Sequence, residues 1–291
     1  MKIKRIIYTL SDIAAAMLFV YLLIFPEYAS DSTREALDFC AGTLIPSLFI
    51  YMVLSKIVIT HPFTDKLMSI AGCEAVALIT GALCGAPVGA KNALSLYESG
   101  RISKRHAEYL LSFTNNTSVS FLLGFVGLGI SGDMRVGIRL LFFQLIGSLC
   151  AAIIMKLVIF GKESLPKCRF AASERVGLRE SLADSVQTML VICACAVFFI
   201  VASGAVASAI SLSPCAEALL RSVLEFSSGC AAAAKCGDQS FVITAFAIGG
   251  GGLSVALQVK SVTAGRLSFR PYLAGKAVTC AVTTALSVIF G

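Results

Sequence analysis

Residues 81–92 read GALCGAPVGAKN, an apolar stretch that also carries glycines at 81, 85 and 89, a proline at 87 and a lysine at 91. In hydrocarbon, a backbone N–H or C=O without a partner costs several kcal/mol, so non-helical chain persists at membrane depth only inside protein or beside a wet cavity. Composition decides that hydrocarbon is the relevant solvent. Of 291 residues, 57% are hydrophobic and 14% charged, against about 45–50% and about 25% in soluble domains. The mean hydropathy is +0.86, and residues 184–212 carry almost no charge. The chain reads as an all-α, polytopic membrane protein whose first partner is the lipid bilayer.

Several function classes drop out on the same evidence. The net charge of +7 lies in short basic clusters between apolar segments, where anionic headgroups are the simpler partner, so no nucleic acid is expected. The eleven cysteines fall mostly inside apolar segments (Cys84, Cys150, Cys193, Cys195, Cys230, Cys280) without a CxxC pair, and they read as soft packing residues. The two histidines, His61 and His106, sit in polar connecting segments. With no nucleophile–base order, nucleotide loop or paired carboxylates, no catalytic site, metal or cofactor is expected, and the chain does not read as an enzyme.

Hydropathy places a first transmembrane helix over residues 1–25, preferred to a cleaved signal peptide ending near Tyr28-Ala29-Ser30, then a polar outer segment over 27–38 and a span over 42–60. The stretch 74–91 is too short to cross and is broken by Pro87, so it reads as a re-entrant hairpin. The charged stretch 101–111 reads as an interfacial amphipathic helix, 112–130 as a helix interrupted at membrane depth, and 136–160 as a conventional span. A basic loop over 162–180 follows, with Lys162, Lys167, Arg169, Arg175 and Arg179.

After that loop the order repeats: a span over 185–210, a short charge-marked segment over 216–234, a glycine-broken apolar segment over 241–259, and a last span over 272–290. Gly85 aligns with Gly229, Ser118 with Ser254 and Cys150 with Cys280, and both last spans end in VIFG. With the N-terminus cytoplasmic, most Lys and Arg fall on the inner side. Arg34, Arg135, Arg139, Arg221 and Lys235 fall outside, and Lys91 lies in the hairpin. The expected organisation is an N-terminal helix and outer segment (1–39), repeat one (40–161), a cytoplasmic basic loop (162–183), and an inverted repeat two (184–291).

The broken segments carry the candidate site. Gly81, Gly85 and Gly89 share a helical face that lets another backbone approach. Lys91, costly in a bilayer, must snorkel, pair with an acid or meet a substrate anion. Asn115, Asn116, Thr117, Ser118 and Ser120 cluster at a helix start, where free N–H groups favour an anion, and capping alone is expected to account for only one or two of them. Glu217, Arg221 and Glu225 are spaced for an i, i+4 ladder, with Glu225 the candidate coupling carboxylate. The expected substrate-binding set is Gly85, Pro87, Gly89, Lys91, Asn115, Asn116, Thr117 and Ser118, faced by Glu225, Gly229, Gly251, Gly252, Ser254 and Gln258.

The blocks GAPVGAKNALSLYESGRISKRHAEYLLSFTNNTSVSFLLGFVG, LEFSSG and GGGGLSVALQ resemble the nucleoside recognition (Gate) domain family and, within it, the sporulation integral membrane proteins of the YlbJ type. The resemblance covers roughly residues 40–290 in pattern. It departs from that pattern at Ala86, where an aromatic residue is usual, at Thr117-Ser118 in place of Gly-Pro, and at Gly250 in place of phenylalanine. Relatives of this type also tend to be longer at the C-terminus. The resemblance implies passage of a small molecule across a bacterial inner or forespore membrane: dipicolinate in sporulating relatives, nucleosides by the domain's name. The expected partner is a small, anionic aromatic solute, with a homo-oligomer compatible with the architecture. The alternative is a non-transporting scaffold for spore-envelope assembly, in which the small residues serve only helix packing.

Overall fold

The computed structural model describes residues 2–163, 165, 168 and 176–291, and every regular element among them is helical. Helix α1 (Lys2–Ile24) is followed by α2 (Pro26–Phe39), opened by a proline whose fixed φ suits a first helical turn. One π turn at Cys40–Leu44 joins α2 to α3 (Ile45–Ile59), so Pro26–Ile59 is a single rod of 34 residues, about 50 Å long. The segment 27–38, expected as an outer connection, is therefore helical and continuous with the span. Its acidic and hydroxyl residues leave one apolar stripe, and Ala36 on that stripe is fully buried.

Helices α4 (Pro62–Ala71), α5 (Cys73–Cys84) and α6 (Val88–Glu98) come next. Gly72 and Gly85, at φ of +83° and +80°, turn the chain into and out of α5, a backbone region that costs glycine nothing. Helices α5 and α6 form an antiparallel pair in which Asn92 Nδ2 donates to Thr80 Oγ1 at 3.3 Å. Helix α7 (Lys104–Leu111) is N-capped by Ser103. It does not lie on an outer surface, as its amphipathic pattern suggested. His106, Ala107, Tyr109, Leu110 and Leu111 are buried, because its apolar face is covered by other helices in place of lipid headgroups.

Residues 115–118 are not helical, which is the expected interruption, and the following helix, Phe121–Ser131, is wound as a π-helix. Helices α8 (Met134–Phe160), α9 (Leu178–Ile210), α10 (Pro214–Leu224) and α11 (Phe226–Ala233) follow. A 3-10 turn then leads to α12 (Ser240–Gly250), α13 (Gly252–Thr263) and α14 (Arg270–Phe290). Of the basic loop, Lys167, Arg169 and Arg175 lie outside the described residues.

Among the described residues, five stretches are long and apolar enough to cross a membrane: Pro26–Ile59, Met134–Phe160, Leu178–Ile210, Phe226–Thr263 and Arg270–Phe290. Their outward faces present Phe142, Ile153, Val158, Leu190, Val288 and Ile289, as a surface solvated by lipid does. The protein is a multi-pass membrane protein. The rod α2–α3 packs antiparallel to α9. Tyr28 Oη donates to the Val201 carbonyl at 2.9 Å, Cys40 Sγ contacts that of Cys193 at 3.9 Å, and Ser181 Oγ donates to that of Val53 at 2.6 Å.

Candidate functional site

The chain is interrupted at the α5–α6 turn around Gly85, at the non-helical residues 115–118, at Glu225 between α10 and α11 (φ −143°, ψ 111°), and at Gly251 between α12 and α13 (φ +74°). All four interruptions border one narrow cavity of about 30 Å³, lined also by Leu44, Leu48, Phe121, Ile192, Ala196, Phe226 and Val255.

Local hydrogen bonding explains why 112–118 leaves the helix. Short polar side chains satisfy the last carbonyls of α7: Ser112 Oγ donates to Tyr109 O at 2.6 Å, Thr114 Oγ1 to Leu110 O at 2.9 Å and Asn115 Nδ2 to Leu111 O at 3.1 Å. Asn116 Nδ2 donates to Phe113 O at 3.1 Å, and Ser118 Oγ accepts from Phe121 N at 3.2 Å, capping the next helix. Capping thus accounts for more of the cluster than the one or two residues expected.

The non-helical strip needs partners for its main chain and finds them on both sides. Ala86 N donates to Asn116 O at 2.7 Å, and Ala90 N donates to Asn115 Oδ1 at 2.9 Å. On the other side, Gln144 of α8 accepts from Thr117 N at 2.9 Å and donates to Thr117 O at 3.0 Å, imitating a strand neighbour. Ser148 Oγ donates to Asn116 Oδ1 at 2.6 Å. The strip lies directly on the hairpin because Gly81 and Gly89 have no side chain, and a methyl group at either would overlap the Thr114 carbonyl.

The structure brings Gly85, Asn115, Asn116, Thr117, Ser118, Glu225, Gly251 and Gln258 together on the cavity wall. It leaves six candidates outside the wall. Pro87 precedes α6, and Gly89 packs on Thr114. Gly229 packs on Ser222, and Gly252 lies against the Ser222 and Leu224 carbonyls. Ser254 Oγ accepts from Gln258 Nε2 at 3.1 Å and so positions a wall residue. Lys91 meets an acid: its ammonium is 2.5 Å from the Asp184 carboxylate and 2.5 Å from Thr188 Oγ1, with Lys56 on the same carboxylate at 3.1 Å.

Two charged wall residues differ in how they are held. Glu225 is 1% exposed, and its Oε2 accepts from Ser227 Oγ at 2.5 Å and Ser228 N at 2.7 Å. The ladder expected through Glu217, Arg221 and Glu225 stops at Arg221, whose Nε donates to Glu217 at 2.8 Å, because Glu225 has left the helix. Lys276 of α14, absent from the sequence-derived set, also reaches the wall. Its ammonium, with three donors to satisfy, has among the described residues one long hydrogen bond, 3.4 Å, to Gly249 O. A lone lysine within an apolar span was the available signal, as was the lone Gln144 within α8.

Among the described residues larger clefts lie beside this cavity, two of them at opposite ends of the α2–α3 rod. One, of about 270 Å³, lies between α3, α6 and the start of α9 and holds Lys56, Lys91, Glu98 and Asp184. The other, of about 190 Å³, lies between α2, the far part of α9, α10 and α11 and holds Glu35, Glu217, Arg221 and Lys235. Along the α2–α3 rod the lining residues run Glu35 to Phe39 in one cleft, Leu44 to Leu48 in the cavity and Met52 to Ile59 in the other cleft. Along α9 the order reverses: Asp184, then Ile192 and Ala196, then Ile200.

No protein-family model matches this chain, and no solved structure does. The chain is similar to the sporulation integral membrane protein YlbJ of Bacillus subtilis (strain 168), at 27% identity over 142 residues, covering 45% of this chain. The match spans 35% of that protein's length.

Proposed function

We propose that the protein is a transporter that moves a small solute between the two clefts by way of the central cavity, in a bacterial membrane and in a sporulation context. The observation that carries this reading is the order cleft, narrow cavity, cleft along both antiparallel rods. The rod from Glu35 to Ile59 is about 36 Å long, enough to pass through a hydrocarbon core of about 30 Å. The antiparallel rods and the two helical pairs α5–α6 and α10–α11 support an inverted-repeat arrangement in which these pairs are re-entrant hairpins and the N-terminus is cytoplasmic.

A cavity of about 30 Å³ holds about two waters. Ligand pockets are typically at least about 300 Å³. The described conformation is therefore the closed one, and a solute enters only when the hairpin turns at Gly85 and Glu225 withdraw. Lys276 then supplies the cation for an anionic, dipicolinate-like or nucleoside-like aromatic solute. Glu225 supplies a carboxylate for a coupled proton or cation. Similarity to a sporulation integral membrane protein supports the physiological setting.

The rival reading is a non-transporting scaffold. It is favoured by one observation, the internal satisfaction of the polar groups of residues 115–118. Uptake of pyridine-2,6-dicarboxylate and of nucleosides into proteoliposomes separates the two. Transport by the wild type, reduced at least about tenfold in folded Lys276→Met and Glu225→Gln, supports the transporter. No uptake of either solute class, or uptake unchanged in both variants, removes it.

A further inference from the structure

His61 and His106 were expected in polar connecting segments, and His106 is instead 1% exposed. It sits in the first turns of α7, opposite the start of α5, where Gly72 has turned the chain so that Cys73 and Glu74 face inward. Its Nε2 is 3.5 Å from Cys73 Sγ and 2.8 Å from Glu74 Oε1. The thiol, carboxylate and imidazole donor atoms all lie within 4.8 Å of one another. The Tyr109 and Phe160 rings, with centroids 6.2 and 6.3 Å from that of His106, pack around the imidazole and hold its orientation.

A structural ion pair needs the histidine and the glutamate only. It does not require the thiol of Cys73, 2% exposed, which faces the same ring nitrogen and also hydrogen-bonds to Glu74. One nitrogen offers one proton or one lone pair, so it cannot serve both neighbours with a hydrogen bond, whereas a metal ion satisfies all three at once. The distances permit this. Tetrahedral zinc, with Zn–S of about 2.3 Å and Zn–N of about 2.0–2.1 Å, places sulfur and nitrogen about 3.6 Å apart; the observed separation is 3.5 Å. The same geometry sets nitrogen and oxygen about 3.4 Å apart, so Glu74, with a side chain 24% exposed, must swing outward from its present 2.8 Å. A fourth donor is near: the Cys168 side chain hydrogen-bonds to Cys73 and is partly buried against the same cluster, and its sulfur, outside the three-residue set, moves inward to reach the ion.

We propose that Cys73, Glu74, His106 and Cys168 form a binding site for a divalent zinc-class cation. Two sulfurs, one imidazole and one carboxylate fit zinc better than magnesium or calcium, which take oxygen ligands. Metal binding displaces the thiol protons and the proton shared by His106 and Glu74, with no change of oxidation state. The site's place in the fold gives it a structural role. Cys168 belongs to the linker joining the first part of the chain to α9, so the ion ties that linker to the base of the α5–α6 pair. Arg105, which bonds Glu163 at 3.2 Å and lies over the Phe160 ring at 4.6 Å, supports the same junction from outside.

The full-length protein, purified in detergent and reduced with a phosphine, is titrated with Zn²⁺ and separately with Co²⁺ in the presence of a competing chelator. The expected results are about one zinc per chain by elemental analysis and a thiolate-to-cobalt charge-transfer absorption. That absorption weakens at least about tenfold in affinity in Cys73→Ser and His106→Asn, while Cys168→Ala lowers its intensity. Because such variants can misfold, the wild-type titration decides independently. A monodisperse wild type that holds no metal against the chelator overturns the proposal, as does a charge-transfer band whose intensity and cobalt affinity are unchanged in Cys73→Ser. A Cys73–Cys168 disulfide found by mass spectrometry in the unreduced protein also overturns it.

Discussion

Lys91 of α6 places its ammonium 2.5 Å from the carboxylate of Asp184 at the start of α9, across 93 positions of sequence. Lys56 of α3 meets the same carboxylate at 3.1 Å, so one acid holds two lysines from two other helices. All three side chains are about a quarter exposed (25% and 28%). Their attraction therefore falls between the solvent-screened and the fully buried cases.

Asp184→Asn leaves two like charges facing each other and should destabilise the protein by about 1–3 kcal/mol, between the exposed and buried limits for ion pairs. The exchange Lys91→Asp with Asp184→Lys should recover part of that loss. Thermal unfolding in detergent, arranged as a double-mutant cycle, gives the coupling directly. A coupling near zero would mean that the pair does not hold α6 to α9.

Replacing Gly81 with leucine drives a side chain into the Thr114 carbonyl. Because the obstacle is backbone, relief requires the strip 112–118 to move, at a cost of about 1–3 kcal/mol or more. Gly100, where an added methyl group meets nothing within 4 Å, is the control for space, although its φ of +70° carries a backbone penalty of its own of about 1–2 kcal/mol. The excess of Gly81→Leu over Gly100→Ala, read from melting temperatures and size-exclusion profiles, should be positive.

Gln144→Leu removes both partners of the Thr117 main chain while preserving apolar bulk. Each buried group left unpaired costs about 1–3 kcal/mol. Gln144→Glu keeps the acceptor for Thr117 N but loses the donor to Thr117 O, and should lie between wild type and Gln144→Leu in thermal stability. A Gln144→Leu protein as stable as wild type would show that water replaces the side chain.

Cysteines introduced at Ser95 in one cleft and Ala231 in the other, both exposed positions, should react quickly with a small charged thiol reagent. A cysteine at Asn116, 2% exposed on the closed cavity, should react at least about tenfold more slowly. Peptide mass spectrometry reads each position separately, so the eleven native cysteines can stay. Equal rates at all three positions would mean that the barrier between the clefts is absent.

Much of this arrangement was legible in the sequence, and the physical reason is the membrane. Breaking a helix in oil is costly, so Gly85, the 112–118 polar run and the tetraglycine had to be buried in protein or beside a cavity, and they converge on one cavity. The glycine face at 81 and 89 likewise announced a close backbone contact, though not that its partner would be Thr114. Long-range pairings were not legible. That Lys91 needs an acid follows from local cost, but nothing local selects Asp184. Lys276 and Gln144 are single polar residues in apolar spans, and spacing alone does not reveal what they face. The burial of α7 was misread because an amphipathic helix has the same periodicity whether its apolar side meets lipid or other helices. His106 was misplaced for the same reason.

The small size of the central cavity has an electrical consequence. Where the two clefts take water from opposite membrane faces, as the proposed transport requires, the membrane voltage would fall mainly across the partition formed by Leu48, Phe121, Ile192 and their neighbours. Charge carried across the whole of that drop changes its energy by about 2.3 kcal/mol per elementary charge per 100 mV. Glu225 and Lys276 line that partition, so in the proposed transporter any charge that either carries would sense the larger part of the drop.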